Sequence, residues 1–232
     1  MSDALKKVSG NTQLPIFPLP LVMLPNEMLP LHIFEDRYRQ MLSDVEHRRN
    51  FFGISFFEPA DSFTDRPKLG SVGCVAEIKE AEVLSDGRSN ILTLGLIRYR
   101  VLEYVESGDP YLVAEVDYFE DESEDADVLD PLADIVFALF ERLAKAAFKM
   151  SGNRGHLPEI TRTAPEQLSF LITAAFNFEN EKKYHLLELT STLDRLTDLK
   201  QVLEKAVGQL EESADIQVAS RTNGHSKKKL DL

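Results

Sequence analysis

Arg98 and Arg100 stand two residues apart on one strand-like segment. Paired guanidiniums on a common face could hold a carboxylate or an acidic peptide. The same pair also fits a solvated face, or ion pairs to Glu and Asp on a neighbouring strand. The five histidines, at 32, 47, 156, 185 and 225, are scattered, and no two share ligand spacing. No metal site is expected from them. His32 fits a structural imidazole bonded to backbone at a strand end, or a functional group. The single cysteine, Cys74, falls on the inward side of an alternating segment. A buried inert thiol suits that position better than a nucleophile, which needs exposure and nearby positive charge. One cysteine also excludes an intrachain disulfide and a metal cage built on several cysteines. The sequence has no glycine-rich phosphate loop ending in Lys-Ser/Thr, no His-Glu-x-x-His and no nucleophile elbow. No catalytic residue, cofactor or metal is assigned.

Binding is what remains. Asp36, Arg37, Gln40 and Asp44 fall on the outer side of a helix expected from Glu35 to near Asn50, just after Phe34. A helix edge beside proline-rich strands can form a groove with apolar walls. An unfolded segment exposes apolar side chains and unpaired backbone groups, and it could lie in such a groove or add a strand to an edge. The expected polypeptide-binding residues are Phe34, Asp36, Arg37, Gln40, Arg98 and Arg100.

The elements that must position them follow from pattern. Prolines 15, 18, 20, 25 and 30 each remove a backbone donor, so no helix crosses residues 14–30. Short strands at 14–19 and 28–33 fit, at a sheet edge or barrel seam. Tyr38, Met41, Leu42 and Val45 then share one helical stripe. Residues 51–57 read as a buried strand and 58–69 as a loop. Val72, Cys74, Ala76 and Ile78 alternate with polar positions, the sign of a half-buried strand. Asp86-Gly87 marks a hairpin turn, and the return strand spans about 90–105. Gly95 within it could bend the strand so that it serves two sides of a barrel. Residues 111–119 close the set. The acidic run 120–127 reads as a solvated linker, or as bait for a basic partner. Beyond it the period becomes helical. Asp130-Pro131 is a helix start, Thr163 to Glu166 has capping-box spacing, and Ser191 can cap the last helix. The stripe Leu196, Leu199, Leu203, Ala206 and Leu210 reads as bundle core rather than as a zipper. Residues 1–12 and the tail from Ser213, with Lys227 to Lys229, read as loose.

The chain has 232 residues and a formal charge of -13 from 39 acidic against 26 basic residues. A phosphate backbone would be repelled by most of this surface, so nucleic acid is not expected as a partner. The first residues carry an acid and no apolar core, so they do not read as a signal peptide. No segment reads as membrane-spanning, and a cytoplasmic location is expected.

Residues 14–19 (LPIFPL), 29–35 (LPLHIFE) and Arg37-Tyr38 together resemble the start of the LON domain, the N-terminal substrate-binding domain of the ATP-dependent Lon protease family. The likeness continues in Val72-Gly73, residues 86–88, Gly95 with residues 98–100, Tyr111-Leu112 with residues 114–116, and then Lys183, residues 186–188 and Arg195-Leu196. It implies an α+β fold: a PUA-like six-stranded pseudo-barrel with one helix over 13–120, a C-terminal helical bundle over 128–212 and a disordered tail over 213–232. It implies polypeptide binding without the ATPase and Ser–Lys protease chemistry, which in that family belong to later domains. The expected function is a non-catalytic adaptor or substrate-recognition protein in proteolysis or quality control, with unfolded client polypeptides and a protease or chaperone as partners. RNA binding, known for other PUA-like barrels, and a small-molecule pocket between barrel and bundle are the alternatives.

Overall fold

The computed structural model describes residues 2–47, 49–58, 66–150 and 161–223; for 149–150 and 211–223 only the backbone is described. The prolines act as expected. They leave two short strands, β1 (Gln13–Leu19) and β2 (Met28–Ile33). The first half of β1 pairs antiparallel with β6 (Leu112–Phe119), and its second half pairs parallel with β3 (Phe51–Phe56). Pro15 and Pro18 therefore each face one neighbouring strand, and the missing donor can lie on the open side. The parallel β1–β3 pair needs a crossover, supplied by β2 and helix α2 (Asp36–Glu46). Tyr38, Met41, Leu42 and Val45 on α2 are all buried, the stripe that the sequence predicts.

Strand β4 (Val72–Val83) and the long strand β5 (Ser89–Val105) complete a sheet of order β2-β5-β4-β3-β1-β6. A further β5–β6 pairing closes the sheet on itself. Along one edge of β5, residues 89–94 pair with β2 and residues 98–105 pair with β6. Gly95 marks the change of partner. A Cβ there would lie 2.1 Å from the Leu24 carbonyl oxygen, so only glycine lets the 24–26 turn pack against the strand. The opposing strand shifts register between Cys74 and Ala76 at the same place.

Two apolar clusters fill the β part. One lies under α2 and includes Phe17, Tyr38, Met41, Phe52, Ile54, Cys74 and Ala76. The other includes Leu14, Ile16, Val75, Tyr99, Val101 and Ala114. The first half of β4 separates them, so residues 72–76 are buried on both faces rather than on one. The N-terminal residues are not loose. Ser2 Oγ accepts from the Leu5 amide at 3.1 Å and caps α1 (Asp3–Val8), whose Val8 is buried in the second cluster.

The helical part differs at its starts. Helix α3 (Ala126–Met150) begins ahead of Asp130, because Asp125 Oδ1 accepts from the Asp127 amide at 3.0 Å and caps it; Pro131 lies inside the helix. Helix α4 (Pro165–Ala175) has Pro165 at its first position and no side-chain cap, so Thr163 does not close a capping box. Helix α5 (Asn180–Glu188) is followed by α6 (Thr192–Asn223). Ser191 Oγ accepts from the Asp194 amide at 3.0 Å, the predicted cap. Val136, Phe140, Leu168, Ile172, Leu196, Leu199 and Leu203 form one core, so the leucine stripe of α6 is spent inside the molecule. Helix α6 continues through Asn223, past the expected boundary at Ser213. His156, His225 and Lys227 to Lys229 lie outside the described residues. Among the described residues no helix is long and apolar enough to cross a membrane.

Candidate polypeptide-binding surface

Strand β2 is paired only with β5 among the described residues, so its other edge is open. Alternation divides its side chains. Leu29, Leu31 and Ile33 pack toward the cluster under α2. Met28, Pro30 and His32 face outward, with Met28 50% exposed. Phe34 follows directly, in the turn into α2, and is 60% exposed. Its ring stacks against His32 with centroids 6.2 Å apart. His32 Nδ1 lies 2.7 Å from Asn90 Oδ1 across the ladder, a side-chain partner rather than the expected backbone one.

Asp36, Arg37 and Gln40 are exposed on α2, and each has a local partner. Arg37 Nε donates to Glu35 Oε2 at 2.9 Å and its guanidinium lies 4.6 Å from the Tyr38 ring centroid. Arg39 Nη1 donates to Asp36 Oδ1, and Gln40 Nε2 to Asp44 Oδ1, each at 2.9 Å. Exposed pairs of this kind contribute about 0–1 kcal/mol and exchange readily for a ligand. A cleft of about 510 Å³ runs between α2 and the β4–β5 hairpin, lined by Asp36, Arg39, Gln40, Glu46, Val83 and Gly87. The cleft borders the hairpin rather than the proline-rich strands, and its lining is mostly polar.

The arginine pair does something different. Arg98 and Arg100 do share a face, with guanidiniums 4.5 and 5.4 Å from the Phe119 ring centroid. Arg100 is exposed and donates to the Gly70 carbonyl at 2.9 Å. Arg98 is 1% exposed, which corrects the solvent-facing position that strand alternation predicts for it. The helices cover it. It forms an ion pair with Asp121 and donates to the Leu187 carbonyl at 3.1 Å and the Leu189 carbonyl at 2.5 Å. Arg195 pairs with the other oxygen of Asp121 and donates to Ser169 Oγ at 2.7 Å. Burial pushes the Arg98 pKa down, and the Asp121 charge opposes that shift. The first half of the acidic run is thus a packed joint rather than a solvated linker. Asp121 joins the two guanidiniums, and Glu124 accepts from Ser191 Oγ at 2.7 Å and from the Leu193 amide at 3.0 Å. Around this joint Val22, Leu24, Val72, Phe170 and Leu187 form an apolar seal.

The structure therefore brings Phe34, Asp36, Arg37 and Gln40 together and leaves Arg98 and Arg100 apart from them, on the far half of β5. Arg195 was missed, although its place between Thr192 and Leu199 on an apolar helix stripe marks a cation that needs a buried partner. A cavity of about 300 Å³ lies between the sheet and the helices, lined by Arg98, Phe119, Glu166 and Phe170 among others. Burial holds the Glu166 carboxyl above its usual range, with the Asp121 charge adding to it. Among the described residues no group of three His, Cys, Asp or Glu side chains could hold a metal ion.

Fold and surface together define an α+β domain with an open strand edge, an exposed aromatic beside it and C-terminal helices locked on by a buried ion triad. The model of the ATP-dependent protease La (LON) substrate-binding domain matches residues 13–205, and the chain belongs to that family. It is 26% identical over 212 residues to a Lon protease of Brevibacillus choshinensis, covering 88% of this chain and 26% of that protein. It is 30% identical over 201 residues to Lon protease 2 of Myxococcus xanthus, covering 82% of this chain and 23% of that protein. The chain thus spans about a quarter of the length of these relatives. Its fold is that of Lon N-terminal domains. A Lon N-terminal domain protein from Xanthomonas campestris superposes with a TM-score of 0.62 at 23% identity, over 81% of this chain and 96% of that one. The N-terminal domain of a Mycobacterium avium complex Lon protease gives 0.61 at 19% identity, over 83% and 98%.

Proposed function

We propose that this chain is a non-catalytic polypeptide-binding module that captures unfolded segments and serves as an adaptor or substrate-recognition protein in proteolysis or quality control. The closed sheet is read as a PUA-like barrel. The observation that carries the reading is the exposure of Phe34 and Met28 at an open strand edge. Large apolar side chains in such a place are available to an extended chain that adds to the edge or lies across the neighbouring face. Asp36, Arg37 and Gln40 border the same surface, and Arg100 is a separate exposed contact. The matched regions of the relatives support a substrate-binding role with no chemistry of its own. Nothing favours RNA, given the charge of -13, and the barrel–bundle cavity has its one arginine already saturated.

The test is fluorescence anisotropy with a reduced, carboxymethylated protein as the unfolded probe and its folded parent as control. Saturable binding to the unfolded form alone, unchanged by ATP, is expected. Phe34→Ser with Met28→Ser should weaken it about tenfold, the effect of losing two half-buried apolar contacts. Equal binding to both probes, or to neither, overturns the proposal.

A further inference from the structure

The outward face of the β2–β5–β4 ribbon carries a pattern that the sequence did not reveal. Cross-strand partners lie on the same face, so the ladder registers define rows. Met28 lies opposite Leu94, and Pro30 opposite Leu92; Leu92 is followed on β4 by Glu80. His32 lies opposite Asn90, which is followed by Glu82. Leu92 and Leu94 belong to none of the buried clusters and are partly exposed, whereas the alternating Ile91 and Thr93 are buried. The face is thus an apolar strip of Met28, Pro30, Leu92 and Leu94, with Phe34 at one end, and a carboxylate margin along β4. Glu77 in that margin is neutralised by Lys7 at 2.7 Å and Lys79 at 2.6 Å. Glu80 and Glu82 are exposed and have no ion pair among the described residues.

We infer that this face selects extended polypeptide segments in which an apolar residue is followed, about three positions on, by Lys or Arg. The inference rests on the polypeptide-binding reading and deepens it. The spacing comes from the sheet. Strands β2 and β4 are two ladder steps apart, about 10 Å. A segment crossing the ribbon advances about 3.3 Å per residue, so an anchor seated on Pro30 of β2 places the third residue beyond it over Glu80 and Glu82. A cation there meets two free carboxylates, and an acidic residue meets repulsion. The apolar strip supplies affinity, and the margin supplies choice of sequence.

The experiment measures Kd for three fluorescent peptides that differ at one position: an apolar anchor followed at the third residue by Lys, Gln or Glu. The expected order is Lys, then Gln, then Glu, with Lys about fivefold tighter than Gln and the gap narrowing in high salt. In the E80Q/E82Q variant the three should converge. In the control variant E115Q/D117N, which removes the same charge from exposed positions on β6, the order should persist. An unchanged order in E80Q/E82Q, or convergence in the control as well, overturns the selectivity and leaves polypeptide binding standing. Failure of all three peptides to bind the wild-type chain, while the unfolded protein probe still binds, also overturns it. Failure of that probe too sinks the underlying reading.

Discussion

Asp121→Ala isolates the joint between the sheet and the C-terminal helices. In the native chain one carboxylate, 4% exposed, serves two guanidiniums that are 1% and 0% exposed. Its removal leaves two like charges in a buried site, with Glu166, whose charge acts on both guanidiniums, as the remaining carboxylate. Breaking a buried pair by deleting one partner costs about 3–5 kcal/mol. Two features bear on where in that range this case falls. The neutral acceptors survive, namely the carbonyls of Leu187 and Leu189 and the hydroxyl of Ser169, and they lower the loss. The mutual repulsion of Arg98 and Arg195 raises it. An expected loss of about 4 kcal/mol, at about 2–4 °C per kcal/mol for a chain of this size, lowers Tm by about 8–16 °C. Circular dichroism during thermal and urea unfolding measures it. Arg98→Met is the companion, because it leaves the Asp121–Arg195 pair intact and should lose about half as much. The double-mutant cycle should return a coupling of at least about 1.5 kcal/mol between Arg98 and Asp121. A loss below about 1 kcal/mol for Asp121→Ala, the range of an exposed pair, would refute the account of the triad as a buried joint.

Two further outcomes test the fold. Gly95→Ala drives a methyl group to 2.1 Å from the Leu24 carbonyl oxygen and 3.2 Å from Cys74 Sγ, so a loss of about 2–3 kcal/mol is expected in urea unfolding, and a neutral result would contradict the partner-switch geometry. Burial holds the Glu27 carboxyl above its usual range, so the folded state binds this proton more tightly than the unfolded state and stability falls as pH rises through that raised pKa. Glu27→Gln should therefore match or exceed the wild-type Tm at neutral pH, with the difference closing as the pH is lowered through the titration of Glu27; a difference that widens toward acid would reverse the sign of this reasoning.

Local pattern was enough for much of the architecture. Proline spacing excluded a helix over residues 14–30, and the stripe Tyr38, Met41, Leu42 and Val45 located α2. Gly95 signalled the bend in β5, and Phe34 with the outer residues of α2 could be grouped from their spacing. These features depend on neighbours within a few residues, where backbone sterics and side-chain period act directly. What failed depends on partners distant in the chain. Strand alternation put Arg98 on a polar face, facing a ligand, solvent or an acid of a neighbouring strand, but α4 and α6 fold over that face, and a carboxylate from the supposed linker meets it. Residues 1–12 are polar and terminal, which reads as loose, yet Val8 is held by the cluster around Leu14 and Val101. The margin of Glu80 and Glu82 beside Leu92 exists only once β4, β5 and β2 are in register. By itself the sequence determined the family and the order of the six strands and of helices α2 to α6. Tertiary structure alone decided which charges are buried, because desolvation depends on everything that packs around a group and not on its neighbours along the chain.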